Sequence, residues 1–287
     1  MQNQFSCPGK CQSGLVWPPT LSDLSPAEKA SARSSCRLNG DDNINVNSLT
    51  GRELEVIIAV RCDYRNAKVI TIEEIKKNEK VQKLIDKADE LLKVIGYTEH
   101  GHRHTSLTAN IAYNIMIRMG KGEHQAQLAA IAGYMHDMGN VINRDYHAQT
   151  AAILAFQILS EMGMPLPDVL DIVAAIGNHD EKNGYPVSDV CAAVVLADKS
   201  DVHSSRVRNL DMISLDIHDR VNYAAKSSFL RVDPDKKTIT LEIKIDTEVS
   251  QVMEYFEIFL SRMLVCKRAA EFLEMKFELV INNQKLL

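Results

Sequence analysis

Five ionisable residues stand out by where they fall in apolar repeats. His104 opens a stripe continued by Leu107, Ile111 and Ile115, and His136 closes one containing Ala129, Ala132 and Met135. His147 opens Ala151, Leu154 and Ile158; His179 closes Val169, Ile172 and Ile176; Asp198 closes Cys191, Val194 and Val195. At 3.6 residues per turn each lies on the core-facing side, near one end of its helix. A lone inward histidine is more often a hydrogen-bonded core residue than a ligand. Several inward ionisable groups, with Asp137 beside His136 as a second carboxylate, need a common partner, because uncompensated buried charge is costly. A metal cluster is that partner. Nitrogen and oxygen donors without thiolate suit Mn, Fe, Zn, Co or Ni. The set exceeds what one tetrahedral ion takes, so two divalent ions bridged by Asp137 and a water are expected.

Cations close to these residues in the chain are candidates for gripping an anionic substrate: Arg103, Arg144, Lys199, Arg206 and Arg208. Arginine holds phosphate bidentately, and the plain alternative is a salt-bridged surface shared with Asp201 and Asp211. Lys199 is the favoured contact. His100, His102, His203 and His218 fall in no comparable stripe; His100, one turn before His104, is placed to face the cluster, but a solvated loop is the favoured reading.

The elements that must position these residues are mostly helices. Thr71 and Glu74 form a capping-box pattern, and Val81, Leu84, Ile85, Ala88, Leu91, Leu92 and Ile95 recur at helical spacing until Gly96, predicting a helix over 79–95. Further helices are predicted at 103–119, 122–138, 147–163, 166–179 and 187–203, punctuated by Gly120, Gly139, Gly163, Pro165 and Gly184. Beyond 225 the pattern changes. Phe229 to Val232 and Thr238 to Ile245 alternate as strands joined through Asp233-Pro234-Asp235-Lys236; a long helix near 247–274 and a strand from Phe277 to Ile281 follow. Phe256, Phe259, Leu260, Met263, Leu264 and Phe272 on that helix read as core, with a homodimer interface as the other use. The expected organisation is a disordered tail over 1–50, a segment of open structure over 51–78, a helical domain over 79–224 and an α+β unit over 225–287.

Lys and Arg number 33 against 38 Asp and Glu, a formal net charge of -5. No global basic field draws nucleic acid or an anionic membrane, so any phosphate affinity is local. The cysteines at 7, 11, 36, 62, 191 and 266 show no disulfide or four-thiolate zinc spacing, and Cys7 and Cys11 lack a second pair. With no leader pattern and no apolar run near ~20 residues, a cytoplasmic location is expected.

His104, the His136-Asp137 doublet, His147, His179 and Asp198, taken in order, resemble the ligand series of HD-superfamily phosphohydrolases, in the dinuclear branch with extra histidines between the doublet and the last aspartate. The likeness spans about 95–210, and the chain from about 70 onward is similar to uncharacterised bacterial HD-domain proteins. The resemblance implies a mainly α fold, an HD-domain helical bundle, here with a small C-terminal α+β unit. It makes His104, His136, Asp137 and Asp198 the core ligands and gives His147 and His179 to a second ion, with Asp137 also catalytic. It implies hydrolysis of a phosphate ester or anhydride, expected to belong to a nucleotide, by a metal-activated water. Lys199, Arg206, Arg144 and Asn140 are the candidate substrate contacts.

His179-Asp180-Glu181 with Gly184-Tyr185-Pro186 is also similar to the HD-GYP phosphodiesterases of cyclic dinucleotides. That family has a second His where Asp180 stands, a longer spacer, and a Lys where this chain has Asn140. The glycine-tyrosine-proline step is equally a turn leading into the next helix. A metal-loaded nucleotide sensor without turnover, and a helical domain whose histidines bind nothing, are the competing readings.

Overall fold

The helices begin where the chain supplies local caps. Thr71 Oγ1 accepts from the Glu74 N–H while the Glu74 carboxylate accepts from the Thr71 N–H, and this reciprocal cap starts a short helix, α1, Ile72–Lys76. Asn78 caps α2, Glu79–Val94. The computed structural model describes residues 70–208 and 216–286; the expectations for 1–50, for 51–69 and for Cys7 and Cys11 lie outside them. The described residues fall within one compact unit, Ala67–Leu287.

Five helices follow: α3, His102–Arg118; α4, Gly122–Met135; α5, His147–Glu161; α6, Leu166–Gly177; and α7, Asp189–Lys199. The predicted helix over 122–138 stops at Met135, and a 3-10 turn, Met138–Val141, leads the chain aside. The helix expected over 187–203 is shorter at both ends, with Ser188 capping it through the Cys191 N–H.

Helix α7 is the axis of the array. Every residue from Val190 to Lys199 is buried, and the helix packs on α3, α4 and α6 and on the long C-terminal helix. A helix apolar on all sides belongs in the middle of a domain. Helix α3 presents a different face from the expected one: Thr105, Thr108, Ala109 and Ala112 are buried with His104 and Ile115, whereas Leu107 and Ile111 are only partly covered. The small side chains let α3 lie close to α4. Leu107 and Ile111 instead line a cavity of about 490 Å³ beside Phe229 and Leu230.

Helix α8, Ile217–Ala224, follows Asp216, which caps it. It leads into β1, Ala225–Asp233, which pairs antiparallel with β2, Thr238–Ile245. Helix α9, Val252–Phe272, crosses over so that β3, Lys276–Ile281, runs parallel to β2, and β4, Gln284–Lys285, closes antiparallel on β3. Such a crossover is how parallel strands are joined. Ile239, Leu241, Ile243, Phe277, Leu279 and Ile281 are buried on one face of the sheet, together with Tyr255, Phe259 and Met263 of α9. Leu260, Leu264 and Phe272 are exposed, so the apolar stripe of α9 divides between core and an outward face. Among the described residues no helix is long and apolar enough to cross a membrane.

Candidate metal centre

Five elements deliver one side chain or doublet each to a single buried point. His104 sits in the first turn of α3, His136 caps the C-terminus of α4 with Asp137 next, His147 opens α5, His179 lies two residues beyond α6, and Asp198 stands in the last turn of α7. All six are buried. The His104 and His136 Nε2 atoms are 3.3 Å apart, as are those of His147 and His179. The Asp137 carboxylate lies between the pairs: Oδ2 is 3.2 Å from His136 Nε2 and 3.6 Å from His104 Nε2, while Oδ1 is 3.5 Å from His147 Nε2. Asp198 Oδ1 joins the first pair at 3.3 Å from His104 and 3.7 Å from His136. Three groups of donor atoms result, each within 4.8 Å of one another: His104-His136-Asp137, His136-His179-Asp198 and Asp137-His147-His179.

The opposite edge of each ring fixes its tautomer. His136 Nδ1 donates to the Gly133 carbonyl at 2.8 Å, His147 Nδ1 to the Arg144 carbonyl at 2.9 Å and His179 Nδ1 to the Ile176 carbonyl at 2.6 Å. His104 Nδ1 donates to Asp201 Oδ2 at 2.7 Å. A neutral imidazole whose Nδ1 carries the hydrogen has its lone pair on Nε2. Burial lowers the His147 pKa and, with His136 and His147 nearby, holds His179 well below the imidazole range. Both are therefore neutral, and two lone pairs and the Asp137 carboxylate face one another with no donor among them. A cation is one partner that would satisfy acceptors so placed, beside the Asn140 amide that donates to Asp137 Oδ1.

The other half differs in charge. Burial opposes a proton on His136, but Asp137 and Asp198 outweigh it and raise the imidazole to about 10. Asp137 and Asp198 are held well below the carboxylate range despite burial, Asp137 chiefly by His136 and Asp198 chiefly by Lys199. A metal ion held here would have to displace the His136 proton. The donor chemistry fits such an ion: neutral imidazole nitrogens and ionised carboxylates with outer hydrogen bonds that fix their orientation.

Gly139 makes the convergence possible. A Cβ there would meet the His147 carbonyl oxygen at 1.9 Å and the Ala151 nitrogen at 2.6 Å, so only glycine lets the turn after the His-Asp doublet lie against the start of α5.

The predicted cations take varied places. Arg144 Nη1 donates to Asn140 Oδ1 at 3.2 Å and lies 3.8 Å from Asp137 Oδ1, and Asn140 Nδ2 donates to Asp137 Oδ1 at 2.9 Å. Arg144 and His147, with Tyr146 and Lys182, line a cavity of about 280 Å³ beside the centre. Lys199 is buried, its Nζ 2.7 Å from Asp198 Oδ2 and 2.6 Å from Glu181 Oε2. Arg206, expected at the substrate, is instead a buried strut whose guanidinium donates to the Glu99 and Asp201 carbonyls. Arg208 pairs with Asp89, and Arg103 forks onto both Asp201 oxygens.

Two neighbours of the ligands lie outside the sequence-derived set. Asp201 carries His104, and the only sign of it in the sequence is an acidic residue three positions after Asp198. His100, expected in solvent, is buried, with Nδ1 2.7 Å from the Thr98 carbonyl and its ring 5.5 Å from that of His104. Its spacing of one turn from His104 is the signal for that placement.

Residues 101–203 match the HD domain family, whose members are typically metal-dependent phosphohydrolases. An uncharacterized protein of Methanocaldococcus jannaschii is 26% identical over 209 residues, covering 63% of this chain and 79% of that relative.

Proposed function

This chain carries an HD domain over residues 101–203, and from that premise we propose that it hydrolyses a phosphate ester or anhydride, of a nucleotide, at a centre of two divalent ions. The observation that carries the reading is the division of the Asp137 carboxylate, with Oδ2 on the His104-His136 pair and Oδ1 on the His147 side. His104, His136, Asp137 and Asp198 would hold one ion; Asp137, His147 and His179 would hold the other. Such ions, when bound, lower the pKa of water towards neutrality and offset charge on phosphoryl oxygens.

The chain's own groups supply the rest. Arg144 stands at the cavity with its side chain 21% exposed, leaving guanidinium donors for a phosphoryl oxygen. Asn140 braces Asp137 through its Nδ2 and Arg144 through its Oδ1, so the anchor and the shared carboxylate move as one. Lys182 is exposed on the same cavity. Tyr146, 69% exposed at the rim, offers an aromatic face to a nucleobase. Asn140 stands where cyclic-dinucleotide phosphodiesterases carry a lysine, and its contacts here go to Asp137 and Arg144, which favours a small nucleotide over a cyclic dinucleotide.

The test is metal analysis and turnover on one preparation. Protein purified without chelator and reconstituted in turn with Mn, Fe, Co, Ni and Zn is expected to hold two ions per chain. It should release phosphate from members of a nucleotide and phosphomonoester panel, and Asp137→Ala should fall to background. Less than one ion per chain after reconstitution removes the metal reading. Full loading and tight nucleotide binding with no turnover anywhere in the panel would establish a sensor instead.

A further inference from the structure

We propose that Arg262, Glu181 and Lys199 form a positioning relay through which the C-terminal unit orients the Asp198 carboxylate. The inference rests on the metal-centre reading above, and Arg262 lies outside the matched residues 101–203. The chain of contacts starts on α9, where the Arg262 guanidinium stands 4.5 Å from the centroid of the buried Phe259 ring. Arg262 Nε is 3.5 Å from Glu181 Oε1, Glu181 Oε2 is 2.6 Å from Lys199 Nζ, and Lys199 Nζ is 2.7 Å from Asp198 Oδ2. Asp198 Oδ1 then faces His104 and His136. Charges alternate along the whole line, and the contacting groups are largely shielded from solvent, where such pairs are least screened.

The relay decides which carboxylate oxygen is available to a metal. Lys199 occupies Oδ2 and leaves Oδ1 for the centre. Its ammonium is shared almost equally between two carboxylates, so the share depends on how far Glu181 is neutralised from its other side. Arg262 supplies that neutralisation. Without it, Glu181 draws Lys199 towards itself, Oδ2 is released, and Asp198 is free to turn.

The sign of the effect separates positioning from a through-space field. Removing a cation near a metal site tightens metal binding if only the field matters. Loosening the partner of a ligand weakens it, by about 10–100-fold for such outer groups.

The experiment is Mn²⁺ titration of the metal-free full-length chain by the EPR signal of free Mn²⁺, with melting of each protein measured alongside. Arg262→Met is expected to weaken Mn²⁺ binding about tenfold, and Arg262→Lys to restore it. Ile239→Val, a mild change in the buried face of the C-terminal sheet, is expected to lower melting without altering affinity. If Arg262→Met does not fold, Arg262→Gln takes its place with the same expected direction, whereas Glu181→Gln, which leaves Lys199 to Asp198, is expected not to weaken binding. Unchanged or tighter binding in the Arg262 variant overturns the relay, as does a marked loss in Glu181→Gln or a loss in Ile239→Val equal to that in Arg262→Met. Wild-type protein that takes up no Mn²⁺ overturns the metal centre and the relay with it.

Discussion

Asp201 shows how a group that never faces the metal donors can set one of them. Burial opposes its charge, yet Arg206, His104 and Arg103 hold its carboxyl far below the usual carboxylate range, so it meets His104 Nδ1 as an anion. An ionised partner at 2.7 Å orients the ring and strengthens Nε2 as a donor to metal. Asp201→Asn keeps the shape and removes the charge, and is expected to weaken metal binding about 10–100-fold. Competition with a chromophoric chelator measures this, and an unchanged affinity would mean that the ring is held by packing alone. The sequence displayed His104, His136, His147, His179 and Asp198 because each continues an apolar repeat, and Asp137 because it adjoins His136. It did not display Asp201, which follows the end of α7 and meets a partner 97 positions away. Arg206 was legible as a charge but not as a buried one, since the carbonyls that accept from it belong to Glu99 and Asp201, and backbone partners leave no mark in composition.

At the level of elements, the helical repeats gave the array its helices nearly to their ends, and the misjudged boundaries are where tertiary contacts overrule periodicity. The helix expected to run to 138 stops at Met135, and the 3-10 turn places Gly139 against His147 and Ala151. Helix α8 is eight residues long, too short to show two turns of a repeat clearly. The parallel pairing of β2 with β3 depends on α9 packing back over the sheet, which alternation within a strand cannot report. Gly139 was legible as punctuation, whereas its role is close approach. Gly139→Ala would drive a methyl into backbone rather than into a movable side chain, and is expected to destabilise the fold by about 3 kcal/mol. The strain falls on the start of α5, so any metal uptake by the His147-His179 half should be the first to fall. Urea unfolding together with metal counting after reconstitution checks both. A variant of wild-type stability that holds as much metal as the wild type would show that the turn can shift without disturbing the donors.

For the molecule as a whole, a metal at this point would tie α3, α4, α5, α6 and α7 together, because each positions a donor at or just beyond one of its ends. Binding to the folded chain alone stabilises it by mass action, about 4 kcal/mol at a thousandfold excess over Kd, which for a domain of this size is a rise in melting temperature on the order of 10 °C. The pH dependence follows from the histidines, and its sign differs between the two forms. His136 in the metal-free fold titrates at about 10 against an ordinary 6.5; its contribution is fully present below 6.5 and is lost as pH rises towards 10. His100, His147 and His179 are shifted the other way, chiefly by burial, so they withdraw stability as pH falls below 6.5. The metal-free chain should therefore be most stable near neutrality. A bound ion would take the place of the His136 proton, so metal affinity should climb about tenfold per pH unit between pH 7 and 9, one proton being displaced. The gap in melting temperature between loaded and metal-free protein, measured by calorimetry at fixed free metal, should accordingly widen across that interval. A gap that stays constant would mean that no ligand loses a proton on binding, and His136 would then have to be neutral in the metal-free fold, contrary to its position between two ionised carboxylates.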